Sequence, residues 1–167
     1  MSQRIIRLAS KDDIATMMAI FAYARSFMAS YGNPNQWGPN QWPHQDVIEN
    51  DIENKKSYVI VEEDQIVGTF YLEIGENAEP CYIHISGEGW KNDGPYAVIH
   101  RIASKQGSHG ILKEAVAFAL SKANHVRIDT HKDNKVMIHL LLKMGFAYRG
   151  EIYVDHDPGN PRRAYEL

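Results

Sequence analysis

Between Ile99 and Leu112 the chain reads Ile-His-Arg-Ile-Ala-Ser-Lys-Gln-Gly-Ser-His-Gly-Ile-Leu: an apolar strand, a turn with two glycines, then the start of an amphipathic helix. The first backbone N–H groups of a helix have no partner inside it and carry the positive end of its dipole. A glycine-bearing turn ahead of them lets an anion reach the backbone, because no Cβ intrudes. Neither the Walker pattern nor the dinucleotide Gly-x-Gly-x-x-Gly pattern is present, which counts against those nucleotide folds. Taken alone, the segment fits plain chain reversal better than an anion site.

Apolar spacing divides the rest of the chain into elements in the same way. Arg4 to Ala9 reads as a strand, and Ser10 with Asp13 stands at capping-box spacing ahead of a helix. Ile14, Met17, Met18, Phe21, Ala24 and Met28 give that helix one apolar stripe, assigned to core packing. Tyr31 to Pro43 is a polar loop carrying Trp37 and Trp42, after which Pro43 opens a short helix with Val47, Ile48 and Ile52 inward. Tyr58 to Val61 and Ile66 to Ile74 are strands joined by the acidic turn Glu62-Glu63-Asp64-Gln65. Gly75 to Gly94 is less regular. Tyr96 to Ala103 is the strand before the glycine turn, and Ile111, Leu112, Ala115, Val116, Ala119 and Leu120 form the apolar face of the helix after it. His125 to Thr130 is a further strand. A helix from Asn134 to Met144, apolar at Val136, Met137, Leu140, Leu141 and Met144, stops at Gly145. Phe146 to Val154 and Arg163 to Leu167 close the chain as strands. The order, strand, two helices, three strands, helix, strand, helix, two strands, predicts an α/β protein with a mixed sheet and helices on both faces.

With 167 residues, no repeat and no linker, residues 1–167 read as one domain. A formal net charge of -3 offers no general attraction for nucleic acid or anionic membranes, and no basic stripe with interleaved aromatics appears. Cys81 is the only cysteine, which excludes an intrachain disulfide and favours a reducing compartment. The opening residues lack the apolar stretch of a signal peptide, and no apolar run approaches the roughly 18 to 20 residues that cross a bilayer. A cytoplasmic protein with neither nucleic-acid nor membrane partner is expected.

Two motifs add a family resemblance to this order. Gly107-Ser108-His109 matches the Gly-x-Gly/Ala part of the pattern Arg/Gln-x-x-Gly-x-Gly/Ala, with Ser104 at the Arg/Gln position and His109 in place of the last small residue. This register turns Leu112 and Ala115 inward; using Gly110 instead restores a glycine but disturbs the helix pattern. Asp133-Asn134 and Gly145-Phe146 match a second pattern, an Asn opening a helix that ends in Gly-Phe. On these motifs the chain resembles the GNAT acyltransferase superfamily, most strongly over Ile99 to Leu112 and Arg127 to Phe146. The resemblance implies a central mixed sheet whose middle strands, ending at Ala103 and Thr130, splay apart and leave backbone groups for the two amides of pantetheine. It further implies acetyl-CoA as donor, held by Ile102, Ala103 and Ser104 along the strand and by the turn Gln106, Gly107, Ser108, His109 and Gly110 at the diphosphate. Asn134 is implied on the pantetheine arm. Pairing into a homodimer is common among proteins of this kind.

Acetyl transfer to an amine requires a neutral nucleophile, a stabilised tetrahedral oxyanion and a proton for the departing thiolate. A backbone N–H on the Ile99 to Ala103 strand can meet the oxyanion. The family's general-acid Tyr, four residues before the terminal Gly-Phe, is replaced by Leu141, and the central strand has no carboxylate where the family's glutamate base stands. His100 is the titratable side chain best placed on that strand, and an imidazole suits base chemistry near neutrality; a core histidine held by a neighbour is the equal alternative. His131 at the end of its strand and Tyr153, a phenol for the thiolate, complete the catalytic candidates, each with a capping or packing alternative. Tyr31, Trp37 and Trp42 fall where the resemblance places the acceptor pocket, with Trp42, beside Pro43, better suited to anchoring the loop. Asp129, His131 and Asp133 do not make a complete ligand set, so no metal is expected. Cys81 lies outside the motifs and reads as a structural thiol.

These readings converge on an N-acetyltransferase that moves an acetyl group from acetyl-CoA to a primary amine of a small molecule or peptide, directly within a ternary complex. The alternatives are an acyl-CoA-binding or sensing module that keeps the fold without the chemistry, and a nucleotide-binding protein using the Gly107 turn.

Overall fold

Among the described residues, seven strands and four α-helices follow one another in the order that the apolar spacing predicts. They are β1 (Arg4–Leu8), α1 (Ile14–Ser30), α2 (Gln45–Glu53), β2 (Ser57–Glu62), β3 (Gln65–Gly75), β4 (Tyr96–Ser104), α3 (Ile111–Leu120), β5 (Val126–Thr130), α4 (Lys135–Lys143), β6 (Ala147–Tyr153) and β7 (Pro161–Glu166). The strands make one mixed sheet in the order β1-β2-β3-β4-β5-β7-β6, which places the chain in the α/β class. The computed structural model describes residues 2–167. By the density of its contacts the chain forms two units: Met1–Leu72 with His100–Ala115, and Glu73–Ile99 with Val116–Leu167.

In the first unit β1, β2 and β3 run antiparallel, with Arg4 opposite Glu62 and Ser57 opposite Tyr71. The acidic turn between β2 and β3 takes left-handed backbone at Glu63 and Asp64, with φ of 48° and 60°, matching the twist of the hairpin. Met17, Ile20 and Phe21 of α1 are buried with Ile48 of α2, Val59 of β2, Ala9 and Ala103, while Met18 and Ala24 pack beside them. The capping box forms as spaced: the Ser10 amide donates to Asp13 Oδ2 at 2.8 Å. It caps a short 3-10 turn, Lys11–Asp13, that leads into α1. Arg7 grips the same carboxylate at 2.7 and 3.0 Å and holds it below its ordinary pKa.

In the second unit β4 and β5 are parallel and pair at Ala97 with Val126 and at Val98 with Arg127. On its other side β5 pairs with β7, antiparallel, from Arg127 opposite Glu166 to Thr130 opposite Arg163. The buried Arg127 lies between the rings of Trp90 and Tyr96, 4.3 and 4.1 Å from their centroids, and donates to Glu166 at 2.8 Å. Helix α4 ends as expected at Gly145, where φ is 95°. Its inward line differs from the sequence pattern. Leu141 is fully buried and Met137, Ile138 and Met144 half-buried, whereas Val136 and Leu140 are exposed. The buried residues follow i, i+4, i+7 spacing from Met137, and Val136 and Leu140 lie about one residue's rotation off that line.

Candidate active site

The glycine turn belongs to the first unit. After β4 ends at Ser104, the Lys105 amide pairs with the Val67 carbonyl at 2.9 Å and the Ser108 amide with the Lys105 carbonyl at 3.0 Å. Gly107 and Gly110 both take left-handed backbone, φ 81° and 79°, a conformation that costs glycine nothing. Helix α3 starts directly afterwards, and its first backbone bond runs from the Glu114 amide to the Gly110 carbonyl at 3.1 Å. The amides of Ile111, Leu112 and Lys113 precede that bond, so the helix gives them no acceptor. The first helical turn therefore follows Gly110, with Gly107-Ser108-His109 as the approach to it. Leu112 and Ala115 nevertheless face inward, as required of the helix. Ile111 lies so close to β3 that a Cβ at Gly68 would sit 2.7 Å from its side chain. Ala103 is buried, Ile102, Ser104 and Ser108 are half-buried, and Gln106 and His109 are exposed.

His100, also in the first unit, stacks on Tyr71 of β3 with ring centroids 5.7 Å apart and planes at 29°. Arg101 covers the Tyr71 ring at 4.4 Å and donates to both carboxylate oxygens of Asp51, on α2, at 2.8 and 2.9 Å. It does so with φ of 49° in the middle of a strand, which costs a non-glycine residue roughly 1–2 kcal/mol. Burial is the largest influence on the Asp51 carboxyl and pushes it up, against the pull of Arg101, His100 and Lys56. Sequence spacing misses this group. The one available signal is that Asp51 stands three residues after Ile48, on the line that α2 buries.

Of the loop aromatics, Tyr31 is exposed, its ring tilted against Phe27 with centroids 4.6 Å apart. Trp37 packs edge-on against the buried Phe21, at 5.9 Å, beside the core cluster. Trp42 meets His44 edge-on at 5.5 Å, and its carbonyl accepts an N–H from Arg25 at 3.1 Å. Trp37 thus has a buried ring partner in Phe21, while Trp42 is held by His44 and through its backbone.

The second unit holds the other candidates. His131 Nδ1 accepts the Asp133 amide at 3.1 Å, which in the neutral ring leaves the proton on Nε2. Burial lowers its pKa. A ring so engaged closes the turn into α4. Asn134 caps α4, its Oδ1 accepting the Met137 amide at 3.1 Å, so any contact with a cofactor is made beside this cap. Tyr153 ends β6, half-buried, opposite Pro161. Asp129 accepts the Tyr82 hydroxyl at 2.6 Å, and burial pushes that phenol far up. Burial also raises the Cys81 thiol, which disfavours its thiolate form. Among the described residues no three His, Cys, Asp or Glu side chains converge as a metal site would need, and no helix is long and apolar enough to cross a membrane.

A mixed sheet of seven strands with a glycine turn opening α3 is an arrangement found in known proteins as well. The model of the Acetyltransferase (GNAT) family matches residues 22–146. This chain belongs to the GNAT acetyltransferase family, whose members take their acetyl group from acetyl-CoA. It is similar to a GNAT-family acetyltransferase of Streptococcus agalactiae 2603, at 29% identity and a TM-score of 0.84 over 99% of this chain and 96% of that one. A GNAT-family acetyltransferase of Listeria monocytogenes 4b F2365 shares the fold at 16% identity, with a TM-score of 0.68 over 98% and 94% of the two chains. A chain of the NatC complex bound to Gag peptide and CoA does so at 12% identity, with a TM-score of 0.61 over 99% and 98%. No curated protein matches the chain.

Proposed function

We propose that this chain is an N-acetyltransferase that carries an acetyl group from acetyl-CoA to a primary amine of a small molecule or peptide, within a ternary complex. In this reading residues 1–167 act as one catalytic domain, in the cytoplasm, with no metal. The observation that carries it is the turn between Ser104 and Lys113. Two left-handed glycines open a helix whose first amides have no internal acceptor, and no acidic side chain stands between Ser104 and Gly110. A diphosphate fits such a turn in charge and in hydrogen-bonding capacity. Ile102, Ala103 and Ser104 lead into it with backbone groups suited to pantetheine amides, and Asn134 keeps the role the family motif gives it. Solved structures of the same fold include proteins named as an agmatine N-acetyltransferase and an N-acetyltransferase of Staphylococcus aureus Mu50, both of which point to an amine acceptor.

His100 is the base in this scheme. The neutral amine nitrogen bonds to the thioester carbonyl carbon as His100 takes a proton from it, and the C–S bond breaks as the tetrahedral oxyanion collapses. The leaving thiolate then takes a proton, for which Tyr153 is the candidate donor, since Leu141 is buried and carries none. Tyr31 and Trp42 flank the acceptor. Purified protein mixed with acetyl-CoA and a panel of primary amines should release CoA thiol with at least one of them. Tight acetyl-CoA binding with no turnover on any amine refutes the acetyltransferase.

The buried Leu141 at the usual acid position favours a second reading, an acyl-CoA sensor of the same fold. His100→Ala separates the two. Catalysis predicts a loss of about a hundredfold or more in kcat with acetyl-CoA affinity retained, whereas a sensor shows the same slow background release before and after the substitution.

A further inference from the structure

The turn that opens α3 is tied to the far end of the chain by one side chain. Arg4, on β1, donates from Nη1 to the His109 carbonyl at 2.7 Å and to Glu114 Oε1 at 2.9 Å, and from Nε to Glu62 Oε1 at 3.2 Å. Its side chain is 19% exposed, and Nη1 lies 3.8 Å from where a Cβ on Gly110 would stand. Arg4 itself lies outside the motif that identifies the turn, 105 residues away from His109 in sequence.

Two consequences follow from elementary geometry and charge. The His109–Gly110 peptide is planar and trans, so its C=O and N–H point in opposite directions. A carbonyl held on Arg4 therefore aims the Gly110 N–H away from the guanidinium and keeps the oxygen from turning toward an incoming anion. The second consequence concerns Glu114. It is the one acidic residue from Ser104 through Ala115, and it sits in the first turn of the helix that would face a diphosphate. A carboxylate there stabilises the free helix but repels a second anion. Arg4 binds that carboxylate and offsets part of its charge, sharing one positive charge between Glu114 and Glu62.

We infer that Arg4 is a positioning residue for the donor, setting the Gly110 amide and masking Glu114 so that the turn can accept a diphosphate. This rests on the reading of the chain as acetyl-CoA-dependent and deepens it. The contact is with protein groups rather than with the donor, so the effect belongs to donor affinity and not to the acetyl-transfer step.

The test compares wild type with Arg4→Ala, Arg4→Lys and the double variant Arg4→Ala with Glu114→Gln. The ligands are acetyl-CoA and S-acetylpantetheine, which carries the same thioester without the diphosphate. Arg4→Ala should weaken acetyl-CoA binding about tenfold, equivalent to the loss of one charge-assisted hydrogen bond, by calorimetry and as a rise in KM with kcat little changed. The loss should be absent with S-acetylpantetheine. Arg4→Lys, which still donates to the His109 carbonyl, should recover part of it, and Glu114→Gln in the Ala background should recover the part due to charge. Equal weakening of both ligands, or acetyl-CoA affinity unchanged in Arg4→Ala, overturns the inference and leaves the acetyltransferase reading standing. Wild type that binds neither ligand overturns that reading as well.

Discussion

Asp51 is a carboxylate 5% exposed to solvent whose main partner is an arginine in a left-handed stretch of strand. Burial raises its pKa despite three cationic or ionisable neighbours, so desolvation outweighs their attraction. Such a pair adds little net stability, yet breaking it strands a charge. Replacing Asp51 with Ala leaves Arg101, 16% exposed in its side chain, without its carboxylate. Urea unfolding should show a loss of about 3–5 kcal/mol; an unchanged midpoint means the pair is dispensable. His100 adjoins this group, so Asp51 also bears on the orientation of the proposed base. A second residue-scale prediction separates two duties of Asn134. Asn134→Asp keeps an oxygen for the Met137 amide and should hold stability, while Asn134→Ala should lose about 1 kcal/mol. If the family role applies here, both raise the KM for acetyl-CoA; a rise in neither confines Asn134 to capping.

At the scale of elements, Asp13 joins β1 to α1. Its carboxylate accepts from the Ser10 amide and from Arg7, and the Arg7 hydrogen bond is the largest reason its pKa is lowered. A carboxyl more acidic when folded than unfolded binds fewer protons in the folded state. Its contribution is therefore complete above about pH 4, the ordinary carboxylate value, and is lost as pH falls through the lower folded-state value. The difference in unfolding free energy between wild type and Asp13→Asn should shrink as pH falls from 5 to 2, and a difference independent of pH refutes the assignment. The elements themselves were legible from spacing. Seven strands and four helices follow because period-2 and period-3.6 apolar patterns record which face of each segment is buried. The inward line of α4 was not, since Val136, Leu140, Leu141 and Leu142 are all apolar and only packing selects Leu141. Trp37 and Trp42 pose the same difficulty. Two equivalent aromatics in one loop are distinguished only by which one finds Phe21.

For the whole molecule, binding of donor must appear in stability, because a ligand that binds only the folded state lowers its free energy. Acetyl-CoA at a hundred times its dissociation constant should stabilise the fold by about 2.7 kcal/mol, raising Tm by roughly 5–10 °C for a chain of this size. ATP at the same concentration should not. A shift with ATP alone points instead to a nucleotide site. What the sequence determined by itself was whatever is local or repeated in it: element order, the α/β class, the glycine turn into α3 and the Asn and Gly-Phe motifs of the family. What only the tertiary structure decided were partnerships between distant residues: Asp51 with Arg101, Tyr71 beneath His100, and Arg4 against the His109 carbonyl. Charged side chains carry no periodic signal of their own, and a strand or helix pattern does not specify which residue tens of positions away will lie within hydrogen-bonding distance.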